Sequence, residues 1–445
     1  MITLYCKTQY QMIKAILPIL SITLFTITTQ AQSLTLPACV DYAVAHNLEL
    51  TAESLNIEEA EVNLKAERHT FLPTAVATIN NGLSSGFQQT FNETMSGEYS
   101  SVKSYTNSAT LDVSVTLWNA GARRTLIKQR QLLKSAAEQS RLYREIEVKT
   151  NVIEKFFALA MAQKRLEIAV ENCAMQDSNL IIAQKLFNLG HRSQRDVMDA
   201  RTNLAQDIMQ RANEENNVVI NELQLRIAMN SNDSVAIEVA DVESDRDIPP
   251  FDDFYAKALE INPSVAMYKT QIEAAEYEKE YYKRLQYPSL TLNYEAGTQG
   301  QKFFHEENKD FGKQWKDNSY QTIYLSLKVP IFSQLSNKDN IAKSEIEISR
   351  RRNLLDQKLL ALSGEMRNVW LGVVQSRNTA DLAAQTAELA RQQYEFAQKD
   401  FKLGNIASYE LYVYKNKFVS SQLQAVGAEY EFLYRLAVLK LFTEQ

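Results

Sequence analysis

The sequence predicts an α+β membrane protein built from one unit written twice: a helix, two strands and a long helical hairpin. Three observations carry this. Landmarks recur at a nearly constant offset along the 445 residues: "KLFNLGHRSQRDVMDARTNL" at 185–204 lines up with "KDFKLGNIASYELYVYKNKF" at 399–418, Asn47 with Asn262, Pro73 with Pro288, and "VTLWNAG" at 115–121 with "VPIFSQL" at 329–335. Each copy also holds period-two stretches with one apolar face, the signature of a half-buried strand. Finally, no Gly or Pro falls between Ala122 and Leu189, a helix-permissive run far longer than the ~11 residues of an average helix.

The chain opens with an export signal at 1–31. Lys7 and Lys14 precede the apolar run "AILPILSITLFTITT", and Thr29-Gln-Ala31 supplies small residues for cleavage. The short basic region leaves Met12 as an alternative start. Nothing later approaches the ~20 consecutive apolar residues of a membrane helix.

The first repeat spans 32–230. Its opening helix, "ACVDYAVAHNLELTAESLNIEEAEVNLKAERHTF", stops at Pro73. Strands follow at about 74–87 and 107–118, where Leu111, Val113 and Val115 alternate with Asp112 and Ser114. The hairpin about 122–229 carries apolar residues in adjacent pairs, such as Val152-Ile153 and Phe156-Phe157. Doubled positions give a stripe wide enough to pack between two neighbours. An acidic segment at 231–250, ending in Pro249-Pro250, reads as an extended linker. The second repeat spans 251–445, with one opening helix, strands at about 289–297 and 319–331, and a hairpin about 338–441. Polar, Gly-containing loops are expected at roughly 84–106 and 297–318. Gly190 and Gly404 fall where a helix ends in a left-handed residue, so each quoted segment is the tip of an antiparallel hairpin.

Composition excludes several classes. With 45% hydrophobic residues the chain is not disordered, and a net charge of −6 without a basic block argues against nucleic acid. His46, His69, His191 and His305 show no metal-ligand spacing. No nucleophile elbow, phosphate loop or paired-carboxylate cleft occurs, so no enzyme, metal or cofactor is expected. Cys39 follows "LPA", as in a lipid-attachment box, but aligns with Phe254 inside a shared helix; a small buried residue is the reading adopted. Trp118 and Trp315 stand near strand or loop ends, as interface anchors or in ordinary packing.

Four amphipathic strands in an exported chain point to an outer-membrane barrel. Four cannot close one, since ~8 is the smallest number that does, so several copies must pool their strands. Their hairpins, side by side, make a tube.

The doubled order of helix, strand, strand, long helix, tip and return helix resembles the TolC-type outer-membrane efflux channels, the outer membrane efflux protein family. The tip pattern Leu189-Gly190…Asp196-Val197-Met198-Asp199-Ala200 and the opening "LTLPACVDYAVAHNLEL" are similar to that family's signatures. The resemblance implies a homotrimer in the outer-membrane lipid, with a twelve-stranded barrel continued by a long periplasmic helical barrel. It implies a passive exit duct of a tripartite efflux or type I secretion system, fed by an inner-membrane pump through a periplasmic adaptor. The adaptor is expected at the tips: Leu189, Gly190, Ser193, Leu403, Gly404 and Ser408. The resemblance places Glu410 at a pore constriction, where some relatives carry a further acid at the position of Val413 and an arginine at that of Ile406. Closure is then expected through apolar contacts of Ile406 and Phe401. Asp196 and Asp199, with Arg192 or Arg195, are expected to hold neighbouring hairpins together. The alternative is an exported coiled-coil structural protein without transport activity.

Overall fold

The structure, a computed structural model, describes residues 32–91, 97–231, 237–239, 246–304, 310–332 and 335–443. The expected export signal at 1–31 and His305 lie outside the described residues. In order the elements are β1 (Gln32–Leu34), α1 (Leu36–His46), α2 (Leu48–His69), β2 (Thr74–Phe91), β3 (Gly97–Trp118), α3 (Ala122–Asn188) and α4 (Gln194–Met229). There follow β4 (Ile237–Val239), α5 (Phe251–Ile261), α6 (Pro263–Arg284), β5 (Ser289–Phe303), α7 (Phe311–Asp317), β6 (Tyr320–Lys328), α8 (Ser336–Leu403) and α9 (Ser408–Leu441).

Each opening helix is two helices rather than one. The breaks fall at the matched asparagines, where Asn47 and Asn262 take extended ψ values of 127° and 113°. Asn262 then caps the new helix: its Oδ1 accepts from the Ser264 backbone N–H at 3.0 Å and from the Ser264 hydroxyl at 2.6 Å, and Pro263 fills the first helical position.

The chain divides into two units. One comprises Leu48–Ile146, Pro249–Asn368 and Phe442–Gln445. It holds an antiparallel sheet in the order β2-β3-β5-β6. The expected loop at 84–106 is mostly strand, because the β2–β3 ladder continues to Phe91 opposite Gly97. Along that extension Ser85 and Gln89 interrupt the apolar face that Leu83 and Phe87 share, so alternation fades while the backbone ladder persists. The second expected loop contains α7, and β6 stops at Lys328, before Pro330, which has no N–H to donate to a ladder.

The register sorts the side chains. Ala77, Ile79 and Leu83 share one face with Ala109, Leu111, Leu290, Leu292, Ile323, Leu325 and Leu327. The other carries Thr78, Asn80, Thr110, Asp112, Ser114, Thr291, Asn293, Glu295, Thr322 and Ser326. Leu83 and Ile323 are 77% and 72% exposed, so the apolar face covers no core of this chain. Trp118 pairs with Leu290 at the helix-side end of that face, and Trp315 lies on α7 toward the opposite end.

A strand-to-helix elbow joins β3 to α3. Ala120 and Gly121 both have positive φ, 53° and 79°. The Arg284 guanidinium fills the space beside Gly121 and donates to the Ala120 carbonyl at 2.9 Å. In the second copy Leu335 takes φ 60° at the position matching Gly121.

The other unit comprises Met1–Asn47, Glu147–Ile248 and Val369–Leu441. Its helix core includes both members of the pairs Val152-Ile153 and Phe156-Phe157, each at most 5% exposed. Cys39 is fully buried in α1, and burial pushes its thiol up to about 11. A thioether to lipid at that sulfur would require the helix to leave its seat. Within the segment expected as a linker, β4 pairs in parallel with β1. Arg246 ion-pairs with Glu429 and lies 5.4 Å above the Phe432 ring. Among the described residues no helix is long and apolar enough to cross a membrane.

Candidate functional site at the hairpin tips

The two tips are built by the same local chemistry. At the first, Gly190 takes φ 77°, its N–H donates to the Phe187 carbonyl at 2.9 Å, and the His191 N–H donates to that of Leu186 at 2.9 Å. At the second, Gly404 takes φ 84°, with Gly404 N–H to Phe401 carbonyl at 3.1 Å and Asn405 N–H to Asp400 carbonyl at 2.9 Å. This pair of hydrogen bonds is the glycine-terminated helix end that satisfies otherwise orphaned carbonyls. The chain reverses within a few residues, which leaves Leu189, Leu403 and Tyr409 at 69%, 76% and 69% exposure.

Ser193 restarts the helix as α4. Its hydroxyl accepts from the Asp196 N–H at 3.3 Å, while Asp196 Oδ2 accepts from the Ser193 N–H at 3.1 Å, a reciprocal cap. Partial burial opposes ionisation of Asp196. The Ser193 hydrogen bonds, the Arg192 charge and the Ser408 backbone N–H outweigh it and hold the carboxyl below its ordinary value. Because Ser408 begins α9, Asp196 touches both tips.

Arg192 also spans them. Its guanidinium lies 5.4 Å above the Phe401 ring and donates through Nη2 to the Ile406 carbonyl. Asp199 does not join this bridge in the chain: it lies half-exposed, 4.0 Å from Arg195 on its own helix.

Phe401 corrects an expectation. It is 1% exposed, packed with Ala183, Ala200, Tyr394, Ala397 and Leu411, with Ile406 against the same cluster. All four hairpin helices contribute. A side chain enclosed by its own chain cannot line a pore; its burial instead contributes about 1.5–3 kcal/mol to docking the tips. The small residues Ala183 and Ala200 make room for the ring. The exposed groups on the first two turns of α9 are Tyr409, Glu410, Val413 and Tyr414. Glu410 makes no ion pair among the described residues.

One layer deeper lies a polar seam that the sequence reading missed. Lys415 of α9 is 1% exposed and ion-paired with Asp207 of α4. Its Nζ also stands 3.4 Å from Gln176 Oε1 of α3, and the Gln176 amide donates to the Ala200 carbonyl at 3.3 Å. Tyr412 reaches Gln206 at 2.7 Å. A lysine in a long amphipathic helix reads as solvated, so only the packing reveals this one. The seam joins α3, α4 and α9 just above the tip core. Tyr394 and Phe418 stack beside it, centroids 5.8 Å apart.

The profile of a family described as outer membrane efflux protein matches residues 39–231 and 254–443, one match per repeat. Among solved structures the chain is similar to CusC, described as forming a transmembrane channel, at 14% identity and TM-score 0.75, covering 92% of this chain and 91% of that one. It is similar to the CmeC outer membrane channel of Campylobacter jejuni, at 18% identity and TM-score 0.73, covering 92% and 85%. It is also similar to the open state of the MtrE outer membrane channel of Neisseria gonorrhoeae, at 15% identity and TM-score 0.69, covering 92% and 88%. At these identities the likeness is one of fold. No curated protein matches the chain.

Proposed function

The chain belongs to the outer membrane efflux protein family, and from that premise we propose that it is the passive exit duct of a multi-protein efflux assembly. Its place is the outer membrane, and its family is one of ducts rather than enzymes. The observation that carries the proposal is the sheet: one apolar face exposed, one polar face, and two edges, β2 and β6, bearing no further strand among the described residues. Such a sheet is stable in a bilayer only when its edges are paired. Three copies supply a twelve-stranded barrel, above the closure limit of ~8 strands, with the polar face inward.

The helical hairpins continue the duct into the periplasm. Their exposed Leu189 and Leu403, with Gly190, Ser193, Gly404 and Ser408 shaping the turns, form the surface for a periplasmic adaptor, which couples the duct to an energy-supplying pump in the inner membrane. Around the three-fold axis, Glu410 of each copy faces the narrowest part of the tunnel. Adjacent carboxylates there favour cations over anions. Drug efflux and type I secretion share this architecture, because a passive duct carries what its pump delivers.

Membrane fractionation with chemical cross-linking tests the proposal. The protein should fractionate with the outer membrane and cross-link to a trimer; a soluble monomer contradicts it. Gly404→Trp should then abolish adaptor pull-down with the trimer intact. Loss of the trimer would assign the tips a structural role only.

A further inference from the structure

The two edges of the sheet are unlike. β2 has 18 residues and β6 nine, so β6 of one copy, laid against β2 of the next, pairs with at most half of it. Both strands have an end toward the helices, since Thr74 lies opposite Ser114, Ser114 opposite Asn293 and Asn293 opposite Tyr324. The half of β2 left over is therefore the one toward the β2–β3 turn. It includes Leu83 and Phe87, 77% and 80% exposed.

Helix α7 occupies the place where β6 stops. β6 ends with Tyr320 opposite Gly297, while β5 runs on to Phe303. Along that overrun Gln314 Oε1 accepts from the Gln301 N–H at 2.9 Å, Asn318 Nδ2 donates to the Gln299 carbonyl at 2.8 Å, and the Thr298 hydroxyl donates to the Trp315 carbonyl at 2.5 Å. Gln314 of α7 and Asn318, which follows its last residue, thus take up backbone groups that a longer β6 would have paired. Phe311 and Trp315 seat the helix over Gly300, where a Cβ would come within 2.8 Å of the Phe311 ring, and Phe311 stands 6.2 Å from the Tyr105 ring. Lys313 and Lys316 are exposed on the helix.

We infer that α7 of one copy closes against the unpaired half of β2 in the next copy, so that the wall above β6 is completed by a helix instead of a strand. The occupant is a second copy of this chain, and the inference rests on the multi-copy barrel proposed above. The chemistry is complementary. The free edge of β2 offers backbone carbonyls to the lysine ammonium groups, and the lysine stems cover Leu83 and Phe87 while the charges stay wet. Lysines at this edge also oppose pairing with unrelated strands.

The test places a photo-cross-linking amino acid at position 313 or 316 of the full-length protein in outer membranes. Irradiation should give covalent dimers and trimers on a denaturing gel, with the adduct mapping by mass spectrometry to residues 79–91 of another chain. Gly300→Val, which unseats α7, should remove the ladder while a native gel still shows the trimer. An intact trimer whose adducts fall only on its own chain or on lipid overturns the inference and leaves the barrel reading standing. A ladder that survives Gly300→Val also overturns it, and absence of any trimer on the native gel overturns both.

Discussion

Lys415→Met should loosen the second hairpin by roughly 3 kcal/mol. The lysine is 1% exposed, so its charge is satisfied almost wholly by Asp207 and Gln176. Methionine keeps most of the stem volume and removes the ammonium. Asp207, whose side chain is only 16% exposed, then holds a carboxylate without its cation. Removing one partner of a buried pair costs about 3–5 kcal/mol, and the residual water access of Asp207 favours the lower end. The assay is hydrogen exchange of the α9 amides at 411–418 in the detergent-solubilised protein. Since 1.4 kcal/mol is a factor of ten, a 3 kcal/mol loss accelerates exchange about 100-fold where these amides exchange by local opening. The double variant Lys415→Met/Asp207→Leu should recover most of the protection, because an apolar replacement of both partners is near neutral. Unchanged exchange in the single variant, or a double variant as damaged as the single, would refute the claim that this pair fastens the hairpin.

Arg192→Ala removes a cation–π contact and a charged hydrogen bond to the Ile406 carbonyl, so separation of the tips should become easier by about 1–2 kcal/mol, read as faster exchange at 404–408. Asp196 has a folded pKa below its ordinary 3.8; its contribution is therefore complete above that value and is lost as pH falls through the lower folded value. Tip protection should drop on going from pH 6 to pH 3, and Asp196→Asn should flatten that dependence. Gly121→Ala places a Cβ 2.7 Å from Arg284 Nη1 at φ 79°, which should cost about 1–3 kcal/mol and lower the thermal midpoint of the solubilised protein.

Much of the fold was legible because it rests on local signals. Gly190 and Gly404 stand at helix ends with left-handed φ, and the alternation of Leu111, Val113 and Val115 marks a strand. What escaped depends on partners distant in sequence. The outer part of β2 and β3 has polar residues on both faces and is held by its ladder, which no single-strand pattern reveals. Asn262 ends one helix and caps the next through Ser264, a break that continuous amphipathic spacing conceals. At the tips, Phe401 is expected to help close the pore, yet it packs into the core against Ala183 and Ala200. Lys415 could not be recognised from its own neighbours, because its counter-ion lies on another helix of the other repeat.

The most direct measurement is single-channel recording of the purified protein in a planar bilayer. The account predicts discrete conductance steps without any energy source, a preference for cations, and a loss of much of that preference in Glu410→Ala. Trimers that insert without conducting would contradict the duct itself, and a cation preference untouched by Glu410→Ala would remove that residue from the constriction.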